Sequence, residues 1–192
     1  MGKSRAYSIL VVLLASSLAG CTGGQSGGGS SSSDGFEVPI WETGQWWLYT
    51  FSTPDYSDDT ARLVVASTSE EDGTAYMLAI SSLTEARRHA VLNHNPFLGR
   101  INHSDLGAFE NGASQQVLSF PLEEGNSWSF TLFSMEWSAF VSDVSGSIAV
   151  VIANSEDGSR LDYVFDREIG FFQSFTWKDA SGASNLRMML SD

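Results

Sequence analysis

Trp128-Ser129-Phe130-Thr131-Leu132 decides the fold class. Its large apolar side chains fall at every second position, with hydroxyls between them. Successive residues of a strand point to opposite faces, so this spacing gives one buried face and one wetted face; a helix would scatter the same residues around its circumference. The period recurs along the chain. Trp47, Tyr49 and Phe51 share one face, with Trp46 and Leu48 on the other, and Leu63 and Val65 alternate with Val64 and Ala66. Tyr76, Leu78 and Ile80 form another stripe. Ile148, Val150 and Ile152 follow, then Leu161, Tyr163 and Phe165, then Phe171, Phe175 and Trp177, then Leu186, Met188 and Leu190. Asp72-Gly73, Asp157-Gly158 and Ser181-Gly182 are hairpin signals, because glycine tolerates the positive φ of tight turns. The best helical candidate, Leu83 to Leu92, is short and uncapped. The pattern predicts an all-β domain, an antiparallel β-sandwich or half-barrel, with Trp128 in the interior as a packing residue.

A weak internal repeat points to two similar halves. Glu42-Thr43-Gly44-Gln45-Trp46-Trp47-Leu48-Tyr49-Thr50 is echoed by Glu123-Glu124-Gly125-Asn126-Ser127-Trp128-Ser129-Phe130-Thr131. Leu63-Val64-Val65, leading to Glu71-Asp72-Gly73-Thr74, recurs as Ala149-Val150-Val151 leading to Glu156-Asp157-Gly158-Ser159. Two like sheets facing each other would give a sandwich or a flattened barrel.

The N-terminal residues give an address rather than a fold. Lys3 and Arg5 precede the apolar run Ile9 to Ala15, and the segment ends in Leu18-Ala19-Gly20-Cys21. The run is shorter than the roughly 20 apolar residues that a spanning helix needs, so it is expected to be an export signal. Leu18-Ala19-Gly20-Cys21 resembles the lipobox of prokaryotic (bacterial or archaeal) membrane lipoproteins. That resemblance implies a lipid on the thiol of Cys21, cleavage after residue 20 and a membrane anchor. Thr22 to Gly35 holds six Gly and five Ser in fourteen residues and no large apolar side chain. Such a run is expected to behave as a flexible tether spanning on the order of 20 Å. The expected organisation is a signal at 1–20, the lipidated cysteine and tether at 21–35, and one extracytoplasmic β domain at 36–192.

Pro121-Leu122-Glu123-Glu124-Gly125-Asn126-Ser127-Trp128, with the later Tyr163-Val164-Phe165-Asp166-Arg167-Glu168-Ile169-Gly170, resembles a recurring class of exported β-rich lipoprotein domains. In that class a Pro-Leu-x-x-Gly-x-x-Trp turn and a Tyr-to-Gly segment border long curved strands. The motifs are structural, so the resemblance implies fold far more than function.

Composition narrows the partners. The 192-residue chain carries ten Lys and Arg against 23 Asp and Glu, a net charge of −13. Lys3 and Arg5 lie in the signal, so cleavage leaves eight cations against those 23 carboxylates, −15. That surface repels nucleic acid and anionic headgroups and keeps a domain soluble in salt. Cys21 is the only cysteine, so no disulfide forms within the chain and the fold rests on its core.

Candidate chemistry is sparse. His89, His94 and His103 show no metal-ligand spacing. Asp55, Asp58 and Asp59, and Glu70, Glu71 and Asp72, depart from the Ca²⁺-loop pattern. No Gly-x-Ser-x-Gly elbow marks a nucleophile. No catalytic residue, metal or cofactor is therefore expected. Among six tryptophans, Trp41, Trp46 and Trp47 are the candidates for stacking on a ligand, with Trp41 outside the strand alternation. Asn102-His103-Ser104 is an N-glycosylation triplet. The expected function is that of a lipid-anchored envelope protein acting as a non-enzymatic binding or structural module. A half-barrel carrier of an apolar ligand or lipid is the alternative, and a hydrolase the third possibility.

The tether reading makes a first prediction. Deleting half of residues 22–35 should leave the melting temperature of the protein unchanged within error. A drop of several degrees in a thermal melt would mean that the segment packs on the domain.

Overall fold

The computed structural model describes residues 35–68, 74–81 and 95–191. Among them the chain is all-β, with no helix. Its strands are β1 (Trp46–Thr53), β2 (Tyr56–Thr68), β3 (Ala75–Ile80), β4 (Gly99–Asn102), β5 (Ala108–Glu110) and β6 (Ala113–Gln115), then β7 (Ser127–Leu132), β8 (Met135–Ser145), β9 (Ile148–Asn154), β10 (Arg160–Asp166), β11 (Phe171–Lys178) and β12 (Ser184–Leu190). All twelve belong to one antiparallel sheet in the order β6-β5-β4-β3-β2-β1-β12-β11-β10-β9-β8-β7. Strands consecutive in sequence are neighbours except β6 and β7, and β1 pairs with β12 through Tyr49 opposite Leu190 and Phe51 opposite Met188. The sheet therefore curls into a nearly closed barrel rather than splitting into two facing sheets.

The open edges, β6 and β7, meet along a seam held by side chains instead of a ladder. The Trp128 indole N–H donates to the Gln116 carbonyl at 2.8 Å. The Thr131 backbone N–H donates to the Gln115 side chain at 3.1 Å, and the Ser134 N–H to Glu110 Oε1 at 3.0 Å. These bonds occupy groups that would otherwise leave a bare strand edge. Trp128 is thus a half-buried seam residue, not an interior one: its ring lies against the core while its N–H ties the edges. The stripe it heads is otherwise as expected, since Phe130 and Leu132 are buried.

Aromatic rings fill the interior. Tyr49, Phe51, Trp137, Tyr163, Phe165, Phe171, Phe172 and Phe175 are each at most 1% exposed. Tyr163 and Phe175 lie 5.5 Å apart between centroids, and Phe171 and Phe172 4.8 Å apart. Phe97 enters from one end: an Asx turn, in which the Phe97 N–H donates to Asn95 Oδ1 at 3.0 Å, directs its ring between Phe172 (4.8 Å) and Phe175 (5.2 Å). Trp41 closes the other end, edge-on to Trp47 and to Phe171 at 5.0 Å each.

So many rings leave room only for small inward neighbours. On β9 the buried residues are Ala149, Val151 and Ala153, while Ile148, Val150 and Ile152 are half-exposed on the outside. The stripe expected from the sequence is therefore the outer face. On β8, Ala139 points in and Phe140 out at 38% exposure. A bulge between β10 and β11 shifts the register, so that Phe172 and Phe175 both face in, opposite Phe165 and Tyr163. Buried tyrosines keep their hydroxyls paired, Tyr49 to the Phe172 carbonyl at 2.5 Å and Tyr163 to the Val117 carbonyl at 2.7 Å. Burial pushes both phenols well above their ordinary value.

The first part of the repeat has a structural basis. Gly44 donates to the Val65 carbonyl and Val65 back to Gln45, at 2.8 and 2.9 Å; Gly125 donates to Val141 and Val141 back to Asn126, at 2.9 Å each. Both glycines have positive φ, 91° and 86°. The second part does not follow, because it sets β2–β3 against β9–β10, whereas the sheet order makes β8 the counterpart of β2. Of the expected hairpins, Asp157-Gly158 and Ser181-Gly182 join β9–β10 and β11–β12. Asp72-Gly73 and the Leu83 to Leu92 helix candidate lie outside the described residues, as do residues 1–34.

Two substitutions separate core from seam. Trp137→Ala, which empties a site 1% exposed, should cost about 3–5 kcal/mol in denaturant unfolding. Trp128→Phe keeps a six-membered ring against the core and removes the pyrrole N–H with its hydrogen bond, so it should cost about 0.5–1.5 kcal/mol. Equal losses for the two would place Trp128 in the core after all.

Candidate functional site

The three tryptophans singled out in the sequence do not form one surface. Trp41 and Trp47 meet inside the barrel end. The Trp41 indole N–H donates to the Gly170 carbonyl at 2.9 Å and that of Trp47 to Ile169 at 3.1 Å. The Trp41 backbone N–H donates to the Tyr76 hydroxyl at 3.0 Å. Gly170 permits this approach: its φ is 72°, and a Cβ there would meet Pro39 at 3.4 Å. Trp46 lies on the outer face, 55% exposed, with the Arg62 guanidinium 5.8 Å from its ring. Trp41 fell outside the strand alternation because it is a plug from the lead-in segment, not a strand residue.

The other candidates are dispersed. His103 is half-buried, with its ring 3.9 Å from that of Tyr76. Asn102 uses one end of its amide on β6 and the other on the β4–β5 connection. Its nitrogen donates to Ser114 Oγ at 3.2 Å, and its oxygen accepts from Ser104 N and Oγ at 3.0 Å each. Asp55, Asp58 and Asp59 sit at and just after the β1–β2 turn. Cys21, His89, His94, Glu70, Glu71 and Asp72 lie outside the described residues. Among the described residues no three His, Cys, Asp or Glu side chains converge as a metal site would require.

Carboxylates in the turns and on the outer face serve local structure. Asp157 accepts from the Ser155 hydroxyl and from Ser159 N and Oγ, and these bonds hold its carboxyl below the ordinary value. Asp179 does the same for the β11–β12 turn, mainly through Ser181. On the outside of β10, Asp162 bonds Arg160 at 2.7 Å and Lys178 at 2.9 Å. Partial burial pushes Asp162 up, but the bonds and charges of Arg160 and Lys178 together outweigh it and hold the carboxyl below its ordinary value.

Three clefts are lined by described residues. One of about 300 Å³ lies between Met135-Glu136 and Ser155-Glu156-Asp157. Another, of about 210 Å³, lies where Gly35 and Phe36 meet Leu122, Glu123 and Glu124, with Arg167 5.1 Å over the Phe36 ring. The third, about 240 Å³, is bounded by Thr53, Pro54, Asp55, Trp177 and Asn185. It differs from the others in that two of its residues carry buried polar atoms with no partner, Thr53 Oγ1 and Trp177 Nε1. Nothing in the sequence distinguished Trp177 from the core aromatics around it. The missing signal is the absence of an acceptor for its N–H, which only the fold shows.

Together these features define a class: an up-and-down antiparallel barrel with a filled aromatic interior, whose polar clefts lie at its ends. No protein-family model matches the chain, and no curated protein or solved structure matches it significantly.

Asp162 supplies a pH prediction. A carboxyl whose folded pKa is depressed adds stability that is present above its unfolded value, about 3.9, and is lost as the pH falls through the folded value. Lys178→Met should move the Asp162 titration upward toward the ordinary value in carboxyl ¹³C NMR. An unmoved titration would mean that Arg160 alone sets it.

Proposed function

We propose that this chain is a lipid-anchored, extracytoplasmic envelope protein whose barrel acts as a non-enzymatic binding or structural module. The anchor rests on Leu18-Ala19-Gly20-Cys21 behind a short apolar run, with the only cysteine at the expected cleavage site. Two acyl chains hold a protein durably where one gives marginal binding. The barrel supports a division of labour in which the lipid, not the strands, makes the membrane attachment. Its inner face is apolar, while Arg62, Glu136, Asp143, Arg160 and Arg187 are exposed on its outer face. A membrane-spanning barrel has the reverse pattern, apolar outside and polar within.

The observation that carries the binding-module reading over the carrier is the occupied interior. A half-barrel carrier needs an emptied lumen for its apolar ligand. Here Phe97, Phe171, Phe172 and Phe175 fill that space with no exposure. Recognition then falls to the outer surface and the barrel ends, which an acidic chain keeps clear of anionic partners.

Fractionation of a prokaryotic host expressing the full chain tests the anchor. Cys21→Ser should move the protein out of the membrane fraction or leave its first 20 residues attached. A mutant that is cleaved and still membrane-bound would overturn the lipid reading. Native mass spectrometry of the wild-type protein should give the mass of the acylated chain without a stoichiometric lipid; a retained lipid would restore the carrier.

A further inference from the structure

We propose that the rim cleft formed by Thr53, Pro54, Asp55, Trp177 and Asn185 binds a small neutral polyol, one sugar ring of an envelope glycan. This deepens the binding-module reading and rests on it for the compartment, but the cleft is built by the fold alone.

The indoles of the chain differ in whether their N–H finds an acceptor. Trp41, Trp47, Trp128 and Trp137 each donate to a backbone carbonyl, those of Gly170, Ile169, Gln116 and Leu132. Trp46 is open to water. Trp177 alone has a shielded N–H with no acceptor. A buried donor left unpaired costs on the order of 1–3 kcal/mol, so a fold that satisfies four indoles and leaves the fifth shielded and unpaired beside a cleft is stabilised when a small shift of the cleft lining brings an outside acceptor to it. Thr53 Oγ1, shielded and unpaired in the same way, lines the same cleft.

The strand register sets the two residues in one row, two strands apart with Leu186 of β12 between them. Ser52 pairs with Arg187, and Trp177 with Leu186. One step along, Thr53, Leu186 and Trp177 form a row across β1, β12 and β11, facing inward at the rim. The ring is held at a cost. Phe133 stacks on Trp177 at 4.1 Å and 7°, from a two-residue hairpin in which Phe133 and Ser134 have φ of 55° and 60°. Such turns favour Asn and Gly, and a bulky residue there is strained by roughly 1–3 kcal/mol. The strain places an aromatic wall behind Trp177.

The lining then selects the ligand. The indole wants an acceptor, the Asp55 carboxylate wants donors, and the Thr53 hydroxyl and Asn185 amide serve as both. Trp177 and the Pro54 ring add apolar surface. A compact molecule with neighbouring hydroxyls and a C–H face meets every demand at once. An anion would meet Asp55 and the chain's net charge of −13. At about 240 Å³ the cleft suits one ring and weak, millimolar affinity.

The test uses the full chain in detergent, with ¹⁵N-labelled tryptophan, titrated with glucose, galactose, mannose and N-acetylglucosamine. At least one sugar should shift a single indole cross-peak saturably, and that peak should be absent from Trp177→Phe. Trp177→Phe keeps the stack on Phe133 and should weaken binding about tenfold, the worth of one hydrogen bond. Thr53→Val should weaken it comparably and Thr53→Ser much less; the Thr53 variants decide the matter if Trp177→Phe fails to fold. The proposal falls if no sugar saturates at millimolar concentration, if binding survives both Trp177→Phe and Thr53→Val, or if a cationic amine such as choline shifts the peak where sugars do not. Binding is read whether or not Cys21 carries lipid, so failure of the anchor and failure of the cleft are separate results.

Discussion

Twelve strands rolled into a nearly closed barrel enclose more space than ordinary side chains fill, and an empty lumen forfeits the contacts that hold a core together. This chain meets the constraint with rings. Phe171, Phe172 and Phe175 on β11, Tyr163 and Phe165 on β10, and Phe97 from outside the strands are all fully buried. The rest of the interior is arranged around them. Strands facing the rings carry Ala61, Ala139, Ala149 and Ala153 inward, and bulkier Phe140 and Ile152 outward. Trp41 and Phe97, neither of which belongs to a strand, close the two ends.

Filling the lumen fixes where polar chemistry can lie. Inside, the hydroxyls of Tyr49 and Tyr163 and the indoles of Trp41, Trp47 and Trp137 are paired with backbone carbonyls. Unpaired groups survive at the rim, where the layers of rings end and the turns begin. The seam follows the same logic: β6 and β7 lack a ladder, and side chains of Gln115, Trp128 and Glu110 occupy the groups that a ladder would have used.

Much of this was legible in the sequence, wherever a strand was apolar on one parity only. Phe130 and Leu132, set between Ser129 and Thr131, face inward as their alternation requires. Reading failed on β9, where both parities are apolar and the bulkier one is not the buried one. On β9 the larger Ile148, Val150 and Ile152 suggested the buried face, but the rings had already taken the space, and the alanine face went in. β8 escaped notice for the same reason, with Phe140 set between Trp137, Ala139 and Val141. The short strands β4, β5 and β6 hold three or four residues each, too few to show a period. The rim cleft could not be read at all, since it depends on which carbonyls lie beside which indoles.

The order of strands also carries a history. Each ladder but one joins neighbours in the chain, and hairpins of that kind close in about 1–10 μs because little loop entropy stands in their way. The exception is β1 with β12, where Thr50 and Ser191, 141 positions apart, share a hydroxyl contact of 2.8 Å. Two six-strand meanders can therefore zip from their own turns before that long-range weld is made. Their other border, β6 against β7, is never zipped. The molecule is a ring with one weld and one clasp, and the clasp is where new chain ends would disturb the circle least.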